Sequence, residues 1–268
     1  MNLNWTSWAY RGLVAVTLLF VVTPLAAVIW VSVFSNKIIS LPPQGYTLDW
    51  YANAWRLENF REGFLLSLKV SLLSTLLGML VAVPASLALV RGRLPGRAAI
   101  GTLLLSPMLI PGVVAGSALY VYYIQFEILT NVQLASTFPG LVAAHTVLTI
   151  PWVVRLVTAS LSGLNESVEE AALNLGARPA AVLWHVTLPM IRPGLVAGAL
   201  FSFIVSFTDL EKSIFLIGPG STTLPIAIVN YLEWNLDPTI AAVATVQILI
   251  IGVALVVSDR YVKLSRVF

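Results

Sequence analysis

Apolar residues run almost unbroken through six stretches of the chain, at 12–34, 63–90, 100–125, 139–161, 193–218 and 238–258. Each is long enough to cross a bilayer, which takes about 20 apolar residues in a helix. Within these runs hydrophobicity does not switch at every second position, so the pattern is not that of a membrane β-barrel. A helix closes its backbone hydrogen bonds internally, which makes it the remaining way to span lipid. The pattern therefore predicts an all-α polytopic membrane protein with six transmembrane helices. Polar and charged residues concentrate in the intervening loops, above all at 35–62 and 162–192.

Composition sharpens this picture. Of 268 residues, 58% are hydrophobic and 10% charged, against roughly 45–50% and about 25% in an ordinary soluble domain. No room is left between the spans for a separate soluble domain. The net charge is only +3 and the basic residues are scattered, so nucleic acid is not an expected partner. Without cysteine there is no thiolate metal ligand or cysteine nucleophile, and the two histidines, His145 and His185, do not make a zinc site by themselves. The first apolar run follows Arg11 but exceeds the 7–15 residues of a secretory signal core. It is read as a retained helix.

Cytoplasmic loops carry the excess of Lys and Arg. Alternate loops place Arg11, Arg91, Arg93, Arg97, Arg155, Arg178, Arg192, Arg260, Lys263 and Arg266 on one side, and only Lys37, Arg56, Arg61, Lys69 and Lys212 on the other. Both termini are thus expected in the cytoplasm, with Lys69 and Arg155 snorkelling from within their spans. On the outer side, Trp50, Tyr51 and Trp55 suggest a short helix at the interface, where such rings prefer to lie.

The cytoplasmic loop after the fourth span reads NESVEEAALNLGARPAAVLWHVTLPMIRPG from Asn165 to Gly194. Ser167 and Glu170 fit a capping box. Val168, Ala171, Ala172 and Leu175 then form one apolar stripe at i, i+3, i+4 and i+7. Gly176 supplies a stop, Arg178-Pro179 opens a second helix and Leu188-Pro189 is expected to break it. Such a stripe on a cytosolic helix calls for something to pack against.

The spacing Glu170-Ala171-Ala172, Gly176, Val186, Leu188-Pro189 resembles the EAA loop of the permease subunits of binding-protein-dependent ABC importers, with Val186 where the family usually has Ile. The resemblance covers the chain from about residue 63 onward. It implies a type I ABC importer permease in the bacterial inner (plasma) membrane, with residues 1–62 as an additional helix and outer loop, 63–268 as the five-helix core, and 162–192 as the coupling loop. It further implies contact with a cytosolic ABC ATPase dimer through Glu169, Glu170, Ala171, Ala172, Gly176, Leu188 and Pro189. The expected partners are a second permease chain, homologous or identical, and an extracytoplasmic substrate-binding protein. No G-x-x-x-x-G-K-[ST] loop is present, so this chain is expected to have no catalytic role and no cofactor of its own. ATP and Mg²⁺ belong to the partner ATPase.

Residues 206–209, the segment 218–225 and Tyr231 to Trp234 resemble the branch importing spermidine, putrescine and related small amines. Related branches handle aminophosphonates or ferric iron. Carboxylates and ring faces suit cationic cargo, making Asp209, Glu211, Phe207, Tyr231 and Glu233 candidates to line the substrate path. An alternative for the acidic pair is that Asp209 and Lys212 bond each other on the surface of the fifth helix. Pro84, Pro107, Pro111 and Pro151 are kink positions, the pairs Gly112/Gly116 and Gly194/Gly198 permit close helix approach, and His145 reads as a hydrogen-bonded structural residue. A secondary transporter would be expected to show matching broken helices in its two halves, and an intramembrane enzyme a nucleophile with a positioned base. Neither is evident in the sequence.

Overall fold

The computed structural model describes residues 5–218 and 220–262, with side chains for 8–218 and 220–260. Pro219, Lys263 and Arg266 of the sequence reading lie outside the described residues. The helices are α1 (Trp5–Val31), α2 (Asp49–Arg56), α3 (Glu58–Arg91), α4 (Arg97–Leu105), α5 (Gly112–Thr130), α6 (Phe138–Ser162), α7 (Glu166–Asn174), α8 (Pro179–Val182), α9 (Leu188–Met190), α10 (Arg192–Phe207), α11 (Ser213–Leu216), α12 (Leu224–Leu232) and α13 (Thr239–Val262). Five among the described residues are long and apolar enough to cross a bilayer, and a sixth results if Pro179–Met190 and Arg192–Phe207, bent by 68°, count together.

Two of the expected spans are interrupted. The third, expected as a continuous helix over 100–125, divides into α4, a 3₁₀ turn at Ser106–Met108, and α5. Pro107 enters that turn and Pro111 caps α5. Each proline lacks the amide that a continuous helix would use, so these two end helices rather than kink one. Pro84 and Pro151, by contrast, are absorbed inside α3 and α6. The fifth span was expected over 193–218, yet α10 stops at Phe207. The hydroxyl of Thr208 and the carboxylate of Asp209 compete locally for backbone partners: Thr208 Oγ1 donates to the Ile204 carbonyl at 2.8 Å, and Asp209 accepts from two amides of the following turn. At 16 residues α10 is about 24 Å long, short of the ~30 Å hydrocarbon core. The apolar chain continues past the break through α11.

The chain falls into two compact units. One comprises Met1–Arg61 with Ile228–Gly252. In it the expected interfacial helix forms as α2, held by the Trp50 indole, which donates to the Phe34 carbonyl at 2.6 Å, and by Tyr51, whose hydroxyl meets Ser32 Oγ at 2.7 Å. Phe34 is fully buried, with Trp30 and Tyr46 edge-on against it. Asn53 donates to Thr239 Oγ1 at 3.0 Å.

The other unit comprises Glu62–Ala227 with Val253–Phe268. An extensive helix pair in it is α6 against α10. Gly194 makes that approach possible: a Cβ there would fall on the Ser160 side chain and 2.9 Å from the Leu156 carbonyl oxygen. Gly198 meets Val153 at ordinary van der Waals distance, 3.4 Å. One buried cluster joins α3, α6 and the start of α10 through Ala82, Val153, Val157, Leu161 and Ile191. A second gathers Val70, Tyr123, Leu141, Val142 and Leu216 from α3, α5, α6 and α11.

Candidate functional site

The loop at 162–192, expected on the cytoplasmic side, forms the two short helices predicted for it, with different ends. α7 is capped by Asn165, whose side-chain oxygen accepts the Ser167 amide at 3.1 Å. The Ser167/Glu170 capping box therefore does not form. Asparagine is among the best N-caps, and because it starts the helix two residues earlier, Glu170 is left on the exposed surface. At the other end Gly176 adopts φ +89°. Its amide bonds the Leu173 carbonyl at 2.9 Å while the Ala177 amide reaches Ala172 at 3.1 Å. This pair of bonds is a Schellman stop, which only a residue at ease in the left-handed region makes without strain.

No residue of α7 is buried. Val168 and Ala171 are exposed, Ala172 is half-buried, and Leu175 is 89% exposed. Among the described residues the apolar stripe is left largely uncovered, most of all at Leu175. Trp184 in the following segment is also exposed. Pro189 does not break that segment as expected. Leu183–Thr187 widens into a π turn and the rod runs on to Met190. A proline ring clashes with the carbonyl four residues back, here that of His185, and the extra residue of a π turn relieves the clash. The bend comes instead at Ile191. Leu188 packs against the buried cluster of α3 and α6, while Pro189 is exposed.

Glu169 points inward rather than outward. Its Oε2 accepts from Arg91 Nε at 2.8 Å and its Oε1 from Thr187 Oγ1 at 2.6 Å. Arg91, at the end of α3, also donates to Glu166 Oε1 at 3.0 Å and, through Nη2, to the carbonyls of Leu161 and Leu164, each at 3.3 Å. In the sequence Arg91 counts only as one positive charge on the cytoplasmic side. Nothing in the local pattern signals four acceptors gathered between the end of α6 and the first turn of α7.

The break after α10 is organised by Asp209. Its Oδ2 accepts the amides of Lys212 at 3.2 Å and Ser213 at 3.0 Å, and its Oδ1 lies 3.4 Å from Lys212 Nζ. The Asp209–Lys212 pair forms, but in a turn that caps α11 and not on a continuous helix. Above it sits His145 of α6, whose Nδ1 is 2.8 Å from Ser206 Oγ and whose Nε2 is 3.1 Å from Ser213 Oγ. Ser206 also meets Ser74 of α3 at 3.0 Å. The imidazole bridges the two sides of the break and is itself 2% exposed. Its serine neighbours are buried too, so no hydroxyl is presented to a substrate.

Glu211 is exposed, and its carboxylate lies over Gly112, where a Cβ would collide with it. Gly116 accommodates Lys212 and Phe215 in the same way, with a Cβ 2.9 Å from Lys212 Cα. The Gly112/Gly116 pair therefore receives the turn at 211–215 and not a second long helix. A cavity of about 370 Å³ opens nearby, lined by Ile110, Val114, Ala118, Leu148 and the stem of Lys212 among others. Phe207 is fully buried, stacked on Phe203 at 5.4 Å and edge-on to Phe64 at 6.0 Å. Tyr231 and Glu233 belong to the first unit. There Tyr231 donates to Asp237 at 2.8 Å and packs on Phe60, and Glu233 is exposed. Among the described residues no group of His, Asp and Glu could hold a metal ion.

Long apolar helices, an exposed stripe on a capped helix between two spans, and a broken fifth span define a multi-pass helical membrane protein. The family model of the binding-protein-dependent transport system inner membrane component matches residues 74–265. This chain belongs to that family: it is an inner-membrane permease subunit of a type I ABC importer, a transport component and not an enzyme. Among curated relatives, the putrescine transport permease PotI of Escherichia coli K12 is 28% identical over 87% of this chain and 83% of its own length. The spermidine/putrescine permease PotC of the same strain is 27% identical over 88% and 87%. The molybdenum transport permease ModB of Mycobacterium bovis is 30% identical over 93% and 91%. In fold the chain is similar to a bacterial ABC transporter that imports alginate, with a TM-score of 0.71 over 96% of both chains at 16% identity. It is also similar to the MetNI methionine transporter, with a TM-score of 0.59 over 77% of this chain and 94% of that one at 22% identity.

Proposed function

We propose that this permease conducts a polyamine or related small amine, handed over by an extracytoplasmic binding protein, along a path formed with a second permease chain. The substrate reading rests on similarity to PotI and PotC. Charge at the break is consistent with it. Lys212 is offset by Asp209, which leaves the exposed Glu211 carboxylate as the outward-facing charge there. A carboxylate attracts an ammonium and repels an oxyanion. Glu211 and Glu233 are the acidic path candidates. Asp209 and Phe207, bonded and buried within the chain, support the path from behind.

On the cytoplasmic side, α7 is the surface for an ABC ATPase, which supplies ATP and Mg²⁺ chemistry in a separate subunit. The observation that carries this reading is the uncovered stripe ending in Leu175, on a helix capped at both ends. Glu170, Ala171, Ala172 and Gly176 form the contact. Leu188 seats the following rod, Pro189 shapes it, and Glu169 holds α7 in place. The Lys and Arg distribution supports cytoplasmic termini. Residues 63–268 act as the permease core around loop 162–192, with 1–62 as the added helix and outer loop.

The test has two arms. Purification of the tagged chain from its native membrane should recover an ABC ATPase and a second permease in stoichiometric amounts. Uptake of labelled putrescine should disappear on deletion of this chain and return with its expression. Because ModB is 30% identical over 93% of the chain, molybdate uptake is the control. Loss of molybdate uptake with putrescine uptake intact overturns the amine reading.

A further inference from the structure

α7 buries none of its residues fully, so apolar packing against the described chain contributes little to holding it. What holds it is polar. Arg91 ends α3, and its guanidinium binds Glu169 Oε2 at 2.8 Å, Glu166 Oε1 at 3.0 Å, and the carbonyls of Leu161 and Leu164, near the end of α6, at 3.3 Å. The Arg91 side chain is 21% exposed and that of Glu169 14%, so this pair is screened far less than a surface pair. Glu169 then passes the connection to Thr187 in the π turn.

We propose that Arg91 is a positioning residue that locks α7 to the ends of α3 and α6, so that a displacement of α7 moves those two membrane helices as one body. The proposal rests on reading α7 as the ATPase-facing surface. Three physical features support it. Glu166 and Glu169 occupy the first turn of α7, where negative charge suits the helix dipole, and the guanidinium offsets the negative carbonyl end of α6. The guanidinium is planar, so donors directed at four acceptors fix its orientation as well as its position, which an ammonium does not do. Immediately beneath, Leu87, Val90, Leu161, Leu164, Leu188 and Ile191 pack together, giving the brace a rigid footing.

The chain has no cysteine, so spin labels on Arg93→Cys and Asn174→Cys report the distance from the end of α3 to α7 without background from this chain, the partner subunits being used in cysteine-free form. The measurement is made on the complete transporter in lipid vesicles, beside putrescine import per ATP hydrolysed. Arg91→Gln and Arg91→Lys should both broaden the distance distribution, and import per ATP should fall about tenfold, within the usual range of coupling between sites. Failure of lysine to rescue distinguishes a directional brace from a generic positive charge. Wild-type distances and wild-type import per ATP in Arg91→Gln overturn the proposal. If Arg91→Gln does not accumulate in the membrane, the double variant Glu166→Ala, Glu169→Ala, which removes both carboxylates that Arg91 binds, decides: broadened distances support the brace and unchanged ones overturn it. The label distance is read whether or not ATPase subunits are recovered. A wild-type assembly lacking an ATPase therefore counts against the functional reading, while the distance still judges the brace.

Discussion

Replacing Gly176 separates what this chain requires for its own fold from what a docked partner requires. At φ +89° a Cβ added there meets nothing within 4 Å, so within the chain a substitution costs only backbone strain. For alanine in the left-handed region that is about 1–2 kcal/mol. Asparagine and aspartate visit this region more readily, so both should keep the stop formed by the Gly176 and Ala177 amides. Gly176→Asn and Gly176→Asp should accordingly melt within a few degrees of wild type in detergent, since about 1 kcal/mol corresponds to ~2–4 °C for a protein of this size. They part on the assembly. Aspartate adds a charge beside Leu175, where a partner would cover apolar surface, and burying it costs at least about 1.4 kcal/mol, or tenfold in ATPase retention. The assay is the ratio of ATPase to permease recovered on purification, with uptake measured in the same cells. Wild-type ATPase retention and uptake in Gly176→Asp would refute the placement of Gly176 at a partner contact.

Other substitutions probe the remaining contacts. Gly194→Ala should destabilise the purified permease by a net of up to about 2 kcal/mol, since overpacking costs about 1–3 kcal/mol against about 1 kcal/mol gained in helix propensity. Gly198→Ala, with room at 3.4 Å, should be neutral or stabilising, and thermal unfolding compares the two. His145→Ala should cost on the order of 3 kcal/mol by leaving a cavity and stripping Ser206 and Ser213 of a shared partner, read in the same melt. Leu175→Ser should leave that melt unchanged while reducing ATPase recovery, because the side chain touches little of its own chain. Pro189→Ala should remove the need for the π turn, detectable as a changed label distance between α7 and the following rod.

Much of this protein was legible in its residues. The six apolar runs, the small helix between Asn165 and Gly176, and the glycine stop follow from local rules of hydrophobicity and capping. Pro179 opening its helix was equally plain. The misreadings have a common origin. Ser167/Glu170 satisfied a capping pattern, but Asn165 lay two residues upstream and won the amide. Pro189 looked like a breaker because a pattern does not show that a π turn can absorb it. The third and fifth runs were continuously apolar, yet Pro107 with Pro111, and Ser206 to Asp209, divided them. Hydropathy records that a segment is compatible with lipid, not that its helix is unbroken.

The sequence by itself determined the solvent and the repertoire: a chain this apolar and this poor in charge must satisfy its backbone internally in a membrane, and the spacing from Glu170 to Pro189 resembles the EAA loop of its family. Tertiary structure alone decided the direction in which each polar group is used. Glu169 and Glu170 are adjacent and chemically identical, but helix geometry turns one towards Arg91 and Thr187 and leaves the other exposed. Asp209 and Glu211 differ in the same way, one capping a turn beneath His145 and the other lying over Gly112. Arg91 reaches Glu169, 78 residues along the chain, and such a partnership has no period and no neighbour in sequence. It exists only once α3, α6 and α7 have been packed together.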